Sequence, residues 1–301
     1  MKKFIANICR LGLFRNIWHR LRNTYTDEEC YDAFIEAMNT ESKALGMKNT
    51  QWINSSGLGM NGDYSQSTAN DLAIMAIRVF SGNQEKYHES NGYVLSIHKP
   101  FVLPWRRTRK KMIYSTVGKE TMGEGFPIVG AKTGSGDGYQ TLVMVWRDGD
   151  TIKSGAIMNA KNEEGRFEAM EELMNAKSYE GFICKNARNA CLYAKERSSD
   201  LKMLFAQEAD EKSAPMSTTK VMTLFMVRKY EKDMRRMEYV VPFDTKRVGN
   251  DVIRVWDRLS VGDLVNAMMR TSSNVSANTL ARLVGRKILE EKEGLSHRGI
   301  S

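Results

Sequence analysis

The chain has 301 residues, 42% hydrophobic and 27% charged, which supplies a substantial core and excludes wholesale disorder. Its formal net charge of +9 favours acidic surroundings such as nucleic acid, anionic lipid or anionic cell-wall polymer, and charge alone does not choose among them. Cys9, Cys30, Cys184 and Cys191 include no Cys-x-x-Cys pair and only four histidines accompany them, so no metal-ligand cluster stands out. The four read as ordinary thiols, with a Cys184–Cys191 disulfide not implied.

The N-terminal stretch MKKFIANICRLGLFRNIWHRLRN begins like an export signal, but Arg10 and Arg15 interrupt its apolar run and no small-residue cleavage site follows. Residues 1–29 therefore read as a basic amphipathic segment that packs on the domain or lies on a membrane surface. Residues 30–47 read as a helix with Phe34, Ile35, Met38 and Leu45 apolar, ending in the turn-rich stretch Asn54-Ser55-Ser56-Gly57, Gly59 and Gly62. A second helix follows the N-cap region Ser67-Thr68 and buries Leu72, Ile74, Met75, Ile77 and Val79. Residues 81–125 are less regular and hold the basic cluster Arg106, Arg107, Arg109, Lys110 and Lys111, which reads as a solvated loop; nothing beyond charge supports nucleic-acid binding.

The clearest strand signal is a hairpin, Tyr139–Trp146 and Thr151–Met158 around an Asp148-Gly149 turn. Glu163–Lys177 reads as helix, and Ala190–Lys195 with Leu201–Gln207 form a second strand pair, making five strands with the one that carries Lys132. Val221–Val227 is apolar at almost every position and is expected to be a central helix buried all round. Ser260 with Asp263 resembles a capping box for a helix that stops near Thr271, and the next helix begins after Asn274. No run approaches the ~18 apolar residues that span a bilayer, so the chain reads as soluble or peripheral. Without internal repeats or a linker, residues 30–290 read as one α+β domain and residues 291–301 as a tail.

Three short motifs carry the chemistry. Ser217-Thr218-Thr219-Lys220 opens the central helix just behind Pro215, which places a hydroxyl and an amine three residues apart on one helical face. Lys132-Thr133-Gly134 stands at the end of a strand, and Ser272-Ser273-Asn274 fills a short break between helices. Singly, each has a plain reading: Lys132 a surface lysine, Ser272 and Asn274 a capping pair, Gly134 a turn glycine. Their combination is far less expected by chance.

Together they resemble the penicillin-binding protein and serine β-lactamase superfamily, most closely the low-molecular-mass D-alanyl-D-alanine carboxypeptidases. The stretches AQEADEKSAPMSTTKVMT, LSVGDLVNAMMRTSSNVSANTLA and MNTESKALGMKNTQWINSSGL, and the hairpin after GAKTG, are similar too, so the resemblance covers roughly residues 30–285. It implies an α+β, β-lactamase/transpeptidase-like fold, a five-stranded antiparallel sheet flanked by helices. It implies a serine-type carboxypeptidase that cleaves peptidoglycan stem peptides ending in D-Ala-D-Ala through an acyl-enzyme, with β-lactams as covalent inhibitors and no metal or organic cofactor. Ser217 would be the nucleophile, Lys220 its base and Ser272 a proton relay to the departing D-alanine. Asn274 would hold the substrate amide, Lys132 and Thr133 its carboxylate, and the N–H groups of Ser217 and Ser135 the oxyanion, with Gly134 allowing close approach.

The motif order departs from the family, because Lys132-Thr133-Gly134 comes first. Residues 30–160 resemble the family's second half and residues 184–285 its first, so the chain reads as a circular permutant in which Glu163 to Gly181 forms the new connection. Gly136 stands where the family has threonine, and no Glu-x-x-x-Asn loop appears, so efficient antibiotic hydrolysis is not expected. The function implies the cell envelope or the exterior, although no clear export signal is legible, and the basic segments are candidates for peripheral membrane or envelope contact. The alternatives are a weakly active or inactive binding module, or a related serine esterase or β-lactamase-like hydrolase.

Overall fold

Thr26 and Glu29 exchange hydrogen bonds, the Thr26 N–H to the Glu29 carboxylate at 2.7 Å and the Glu29 N–H to Thr26 Oγ1 at 3.1 Å, and this capping box opens helix α1 (Asp27–Leu45). In this computed structural model, which describes residues 25–59, 62–81, 101–105, 109–113, 128–196, 199–246 and 248–293, the helix thus starts three residues before the apolar pattern does. The cap lies in polar sequence that hydrophobic periodicity does not register, and it assigns residues 27–29 to the domain rather than to the N-terminal segment. The reading of residues 1–24 lies outside the described residues.

Helix α2 (Ala69–Phe80) follows its Thr68 cap. The central sheet contains β3 (Ile128–Gly136), β4 (Tyr139–Asp148), β5 (Thr151–Ala160), β6 (Ala187–Lys195) and β7 (Lys202–Gln207), all antiparallel, with spatial order equal to chain order. Asp137 (φ 47°) and Gly138 (φ 84°) close β3 onto β4 through two left-handed residues, the backbone a two-residue hairpin requires. Helix α3 (Gly165–Asn175) carries the chain from β5 to β6, which pair directly. Two short pairs lie apart from this sheet: β1 (Phe101–Trp105) with β2 (Arg109–Ile113), and β8 (Met237–Tyr239) with β9 (Arg258–Ser260). Arg109, Lys110 and Lys111 are therefore in a strand, not in the expected loop; Arg106 and Arg107 lie outside the described residues.

The sheet is covered on both faces. Val143 and Val145 point to the core shared with α2, α4 (Thr219–Tyr230), α5 (Val261–Arg270) and α6 (Asn274–Lys292), while Leu142, Met144 and Trp146 point to the core under α3. Two buried faces explain why this strand reads as a nearly continuous apolar run. Helices α1 and α6 touch backbone to side, since a Cβ on Gly285 would stand 1.7 Å from the Cys30 carbonyl oxygen. Cys30, Cys184 and Cys191 are buried free thiols, so Cys184 and Cys191 are not bridged. No helix among the described residues is long and apolar enough to cross a membrane.

Candidate active site

A 3-10 turn, Met216–Thr218, leads into α4 and presents Ser217 at the mouth of the core. Met216 is buried with φ 50°, a left-handed conformation that costs a side-chain-bearing residue roughly 1–2 kcal/mol, so the surrounding contacts must hold the turn. They do so from two sides. Thr218 Oγ1 donates to the Pro215 carbonyl at 2.6 Å, and Thr141 Oγ1 lies 3.1 Å from the same oxygen and 3.3 Å from the Gly134 carbonyl. A Cβ on Gly134 would stand 2.9 Å from the Ser217 nitrogen and 2.3 Å from Thr141 Oγ1, so glycine is what lets β3 lie against the serine turn.

On the far side the loop after α1 closes in. Asn54 Oδ1 accepts the N–H groups of Ser56 at 3.1 Å and Gly57 at 2.6 Å, an Asx-type turn. Gly57 has φ 79°, and a Cβ there would meet the Met216 carbonyl oxygen at 1.8 Å. With the loop this close, two residues on one face of α4 grasp consecutive carbonyls: Thr223 Oγ1 donates to Ser55 O and Lys220 Nζ to Ser56 O, each at 2.7 Å.

Lys220 is fully buried, and its Nζ has three neighbours: Ser56 O at 2.7 Å, Asn274 Oδ1 at 2.7 Å and Ser217 Oγ at 2.9 Å. The first two oxygens can only accept. A neutral amine has two N–H bonds, which they consume, and one lone pair, which is left facing the Ser217 hydroxyl. Burial, and then the Lys132 ammonium, hold the Lys220 pKa well below the ordinary lysine range, against the opposing pull of Asp251. Asp251 is anchored elsewhere, accepting from Ser273 Oγ at 2.8 Å and from the Val275 N–H at 3.2 Å.

Lys132 on β3 is likewise buried, and burial with the nearby Arg166 guanidinium lowers its pKa to about 7; its Nζ donates to Thr133 O at 2.7 Å. Arg166 projects from α3 and its Nη1 reaches Gly134 O at 3.1 Å, Ser135 Oγ at 2.5 Å and Gln140 Oε1 at 2.9 Å, while its Nε is buried without a partner. In the two-residue hairpin the Gly136–Tyr139 pair flanking the turn is the hydrogen-bonded one. The next pair, Ser135 with Gln140, is therefore not, and the Ser135 N–H faces the open edge of the sheet, where the serine turn packs.

The third motif breaks α5 from α6. Ser273, not Ser272 or Asn274, is the N-cap of α6, its Oγ accepting from the Ser276 N–H at 3.0 Å. That frees Asn274 to bond Lys220. Ser272 adopts φ 60°, and its Oγ is buried with no hydrogen-bond partner. The fold thus joins Ser217, Lys220 and Asn274 by direct hydrogen bonds and brings Thr133, Gly134 and Ser135 along β3 beside them. Lys132 acts on Lys220 through its charge, and Ser272 stands two residues from Asn274 without bonding Lys220.

Two contributors escape a sequence reading. Ser56 acts through a backbone carbonyl, which no side-chain motif announces, although Asn54 and Gly57 mark its turn. Arg166 sits in the helix expected to serve only as a connection; its signal is an arginine beside Phe167 on the apolar face of that helix, where it is 5% exposed.

Comparison with known families divides the chain at α3. A model of the D-alanyl-D-alanine carboxypeptidase family, peptidase S11, matches residues 29–162, and a model of the β-lactamase enzyme family matches residues 176–293. No curated protein and no solved structure matches the chain.

Proposed function

We propose that this chain, a serine hydrolase of the penicillin-binding protein and β-lactamase superfamily, is a D-Ala-D-Ala carboxypeptidase assembled on a circularly permuted form of that fold. The observation that carries the reading is the saturation of both Lys220 N–H bonds by acceptors, which leaves a lone pair 2.9 Å from Ser217 Oγ. The permutation is supported by the direct pairing of β5 with β6 across α3, and by family matches that fall on opposite sides of that helix.

In the proposed reaction Ser217 Oγ attacks the carbonyl carbon of the terminal peptide bond as Lys220 Nζ takes its proton. The oxyanion is held by the N–H groups of Ser217 and Ser135, each such donor being worth ~100- to 1000-fold. The tetrahedral adduct collapses as a proton passes to the departing amine, with the unpartnered Ser272 hydroxyl as relay, and D-alanine leaves. Water, activated by Lys220, then hydrolyses the ester and restores Ser217. Lys132, Thr133 and Arg166 bind the substrate's terminal carboxylate, and Asn274 Nδ2 is free to orient the adjoining amide.

Release of D-alanine from a stem pentapeptide tests the reading. Release by the native chain and none by Ser217→Ala supports it. Turnover of a simple ester without D-alanine release would favour a serine esterase instead.

A further inference from the structure

A cavity of about 310 Å³ is lined by residues of α1, of the 53–58 loop, of the 243–248 segment and by Asn278 of α6; none of Ser217, Lys220, Lys132 and Asn274 is in its lining. Its body is apolar and amide-lined, with Tyr31 and Phe243 edge to face at 5.6 Å. Its lining includes the exposed side chains of Glu28 and Asp32, one turn apart on α1, and of Lys246. Neither carboxylate makes an ion pair or hydrogen bond among the described residues, and the Lys246 ammonium rests over the Phe243 ring at 5.1 Å. Exposed charges of both signs left apart around one small cavity match a ligand that carries both signs itself. The volume, at the small end for ligand pockets, suits an amino acid or dipeptide.

We propose that this cavity is a binding site for a small zwitterion of amino-acid or dipeptide size, its ammonium held by Glu28 and Asp32, its carboxylate by Lys246 and its apolar body against Tyr31 and Phe243. The occupant communicates with the serine site through one wall. Asn54 and Ser56 line the cavity, and the Ser56 carbonyl is the acceptor that orients Lys220. Asn278, also in the lining, is one turn beyond Asn274 on α6, and its Oδ1 accepts from Ser55 Oγ at 3.0 Å. An occupant therefore bears directly on the segment that carries the Ser56 carbonyl and, through α6, on the helix that carries Asn274, the two acceptors of the lysine. The binding claim does not depend on the carboxypeptidase reading.

The test is calorimetric titration of the full chain with alanyl-leucine, its N-acetyl derivative and its C-terminal amide. The dipeptide is expected to bind and each derivative to bind at least about tenfold more weakly. Asp32→Asn and Lys246→Met should each weaken the dipeptide by about tenfold or more, whereas Ser217→Ala and Arg166→Gln should leave it unchanged. Equal binding of the three compounds, indifference to both lining substitutions, or no binding at millimolar dipeptide overturns the proposal. So does loss of binding in Arg166→Gln alone, which would place the dipeptide in the serine site.

Discussion

Lys220 Nζ stands 2.9 Å from Ser217 Oγ, with Ser56 O and Asn274 Oδ1 each at 2.7 Å on its other sides, so the amine's proton-accepting orbital is directed by two oxygens that cannot donate. The direction matters as much as the distance. A lysine free to rotate would spend its lone pair on any donor within reach. This one is fixed by a backbone carbonyl from one end of the chain and an amide side chain from the other. Lys220→Met should lower acylation by a penicillin by about 100- to 10,000-fold, the range for removal of a general base, while the circular dichroism spectrum stays native.

The two buried lysines set opposite pH demands. In the proposed reaction Lys220 must be neutral to act, so acylation is expected to fall as acid protonates it. Lys132 must be charged to hold a carboxylate, and with its pKa at about 7 the KM for a free-carboxylate peptide should rise between pH 7 and 9 while that for the peptide amide stays flat.

The same lysine couples stability to pH. Its folded pKa of about 7 lies below the ordinary value of 10.5, so between these limits the unfolded chain binds the extra proton and unfolding becomes less favourable as pH rises. The cost is complete below the lower limit and absent above the upper one. The urea midpoint is expected to increase from pH 7 to 9.5, and less steeply in Lys132→Met.

Arg166 is expected to recognise charge rather than to hold the fold. Arg166→Gln should raise KM for a peptide with a free C-terminal carboxylate by about 10- to 100-fold, the equivalent of one charge-assisted pair, and leave the amidated peptide nearly unaffected. Equal losses on both peptides would assign the residue to β3 geometry alone.

Gly57 tests the loop approach. Gly57→Ala places a methyl 1.8 Å from the Met216 carbonyl oxygen at φ 79°, so the loop must retreat and carry Ser56 O away from Lys220. Denaturant unfolding should show a loss of roughly 2 kcal/mol or more, and acylation should fall with it.

Most of the fold is legible because its signals are local. The strand hairpin, the apolar 221–227 stretch and the Ser260–Asp263 cap are each decided by residues a few positions apart, and all form as read. The start of α1 and of β6 escape, since Thr26–Glu29 is polar capping and Ala187–Asn189 lack an apolar alternation. At the site, Ser217, Lys220 and Asn274 are legible as motif residues. The Ser56 carbonyl that meets them is not, because it comes from a segment 164 residues from Lys220. Nor does sequence distinguish the Ser273 cap from its neighbours; the bond that Ser273 Oγ accepts from the Ser276 N–H does.

Activation of Ser217 by Lys220 is read out by mass spectrometry of the chain after incubation with benzylpenicillin. A single covalent adduct that maps to the peptide holding Ser217, absent from Ser217→Ala and strongly slowed in Lys220→Met, is the predicted result. No adduct on the folded chain, or an adduct that persists in Ser217→Ala, would contradict it.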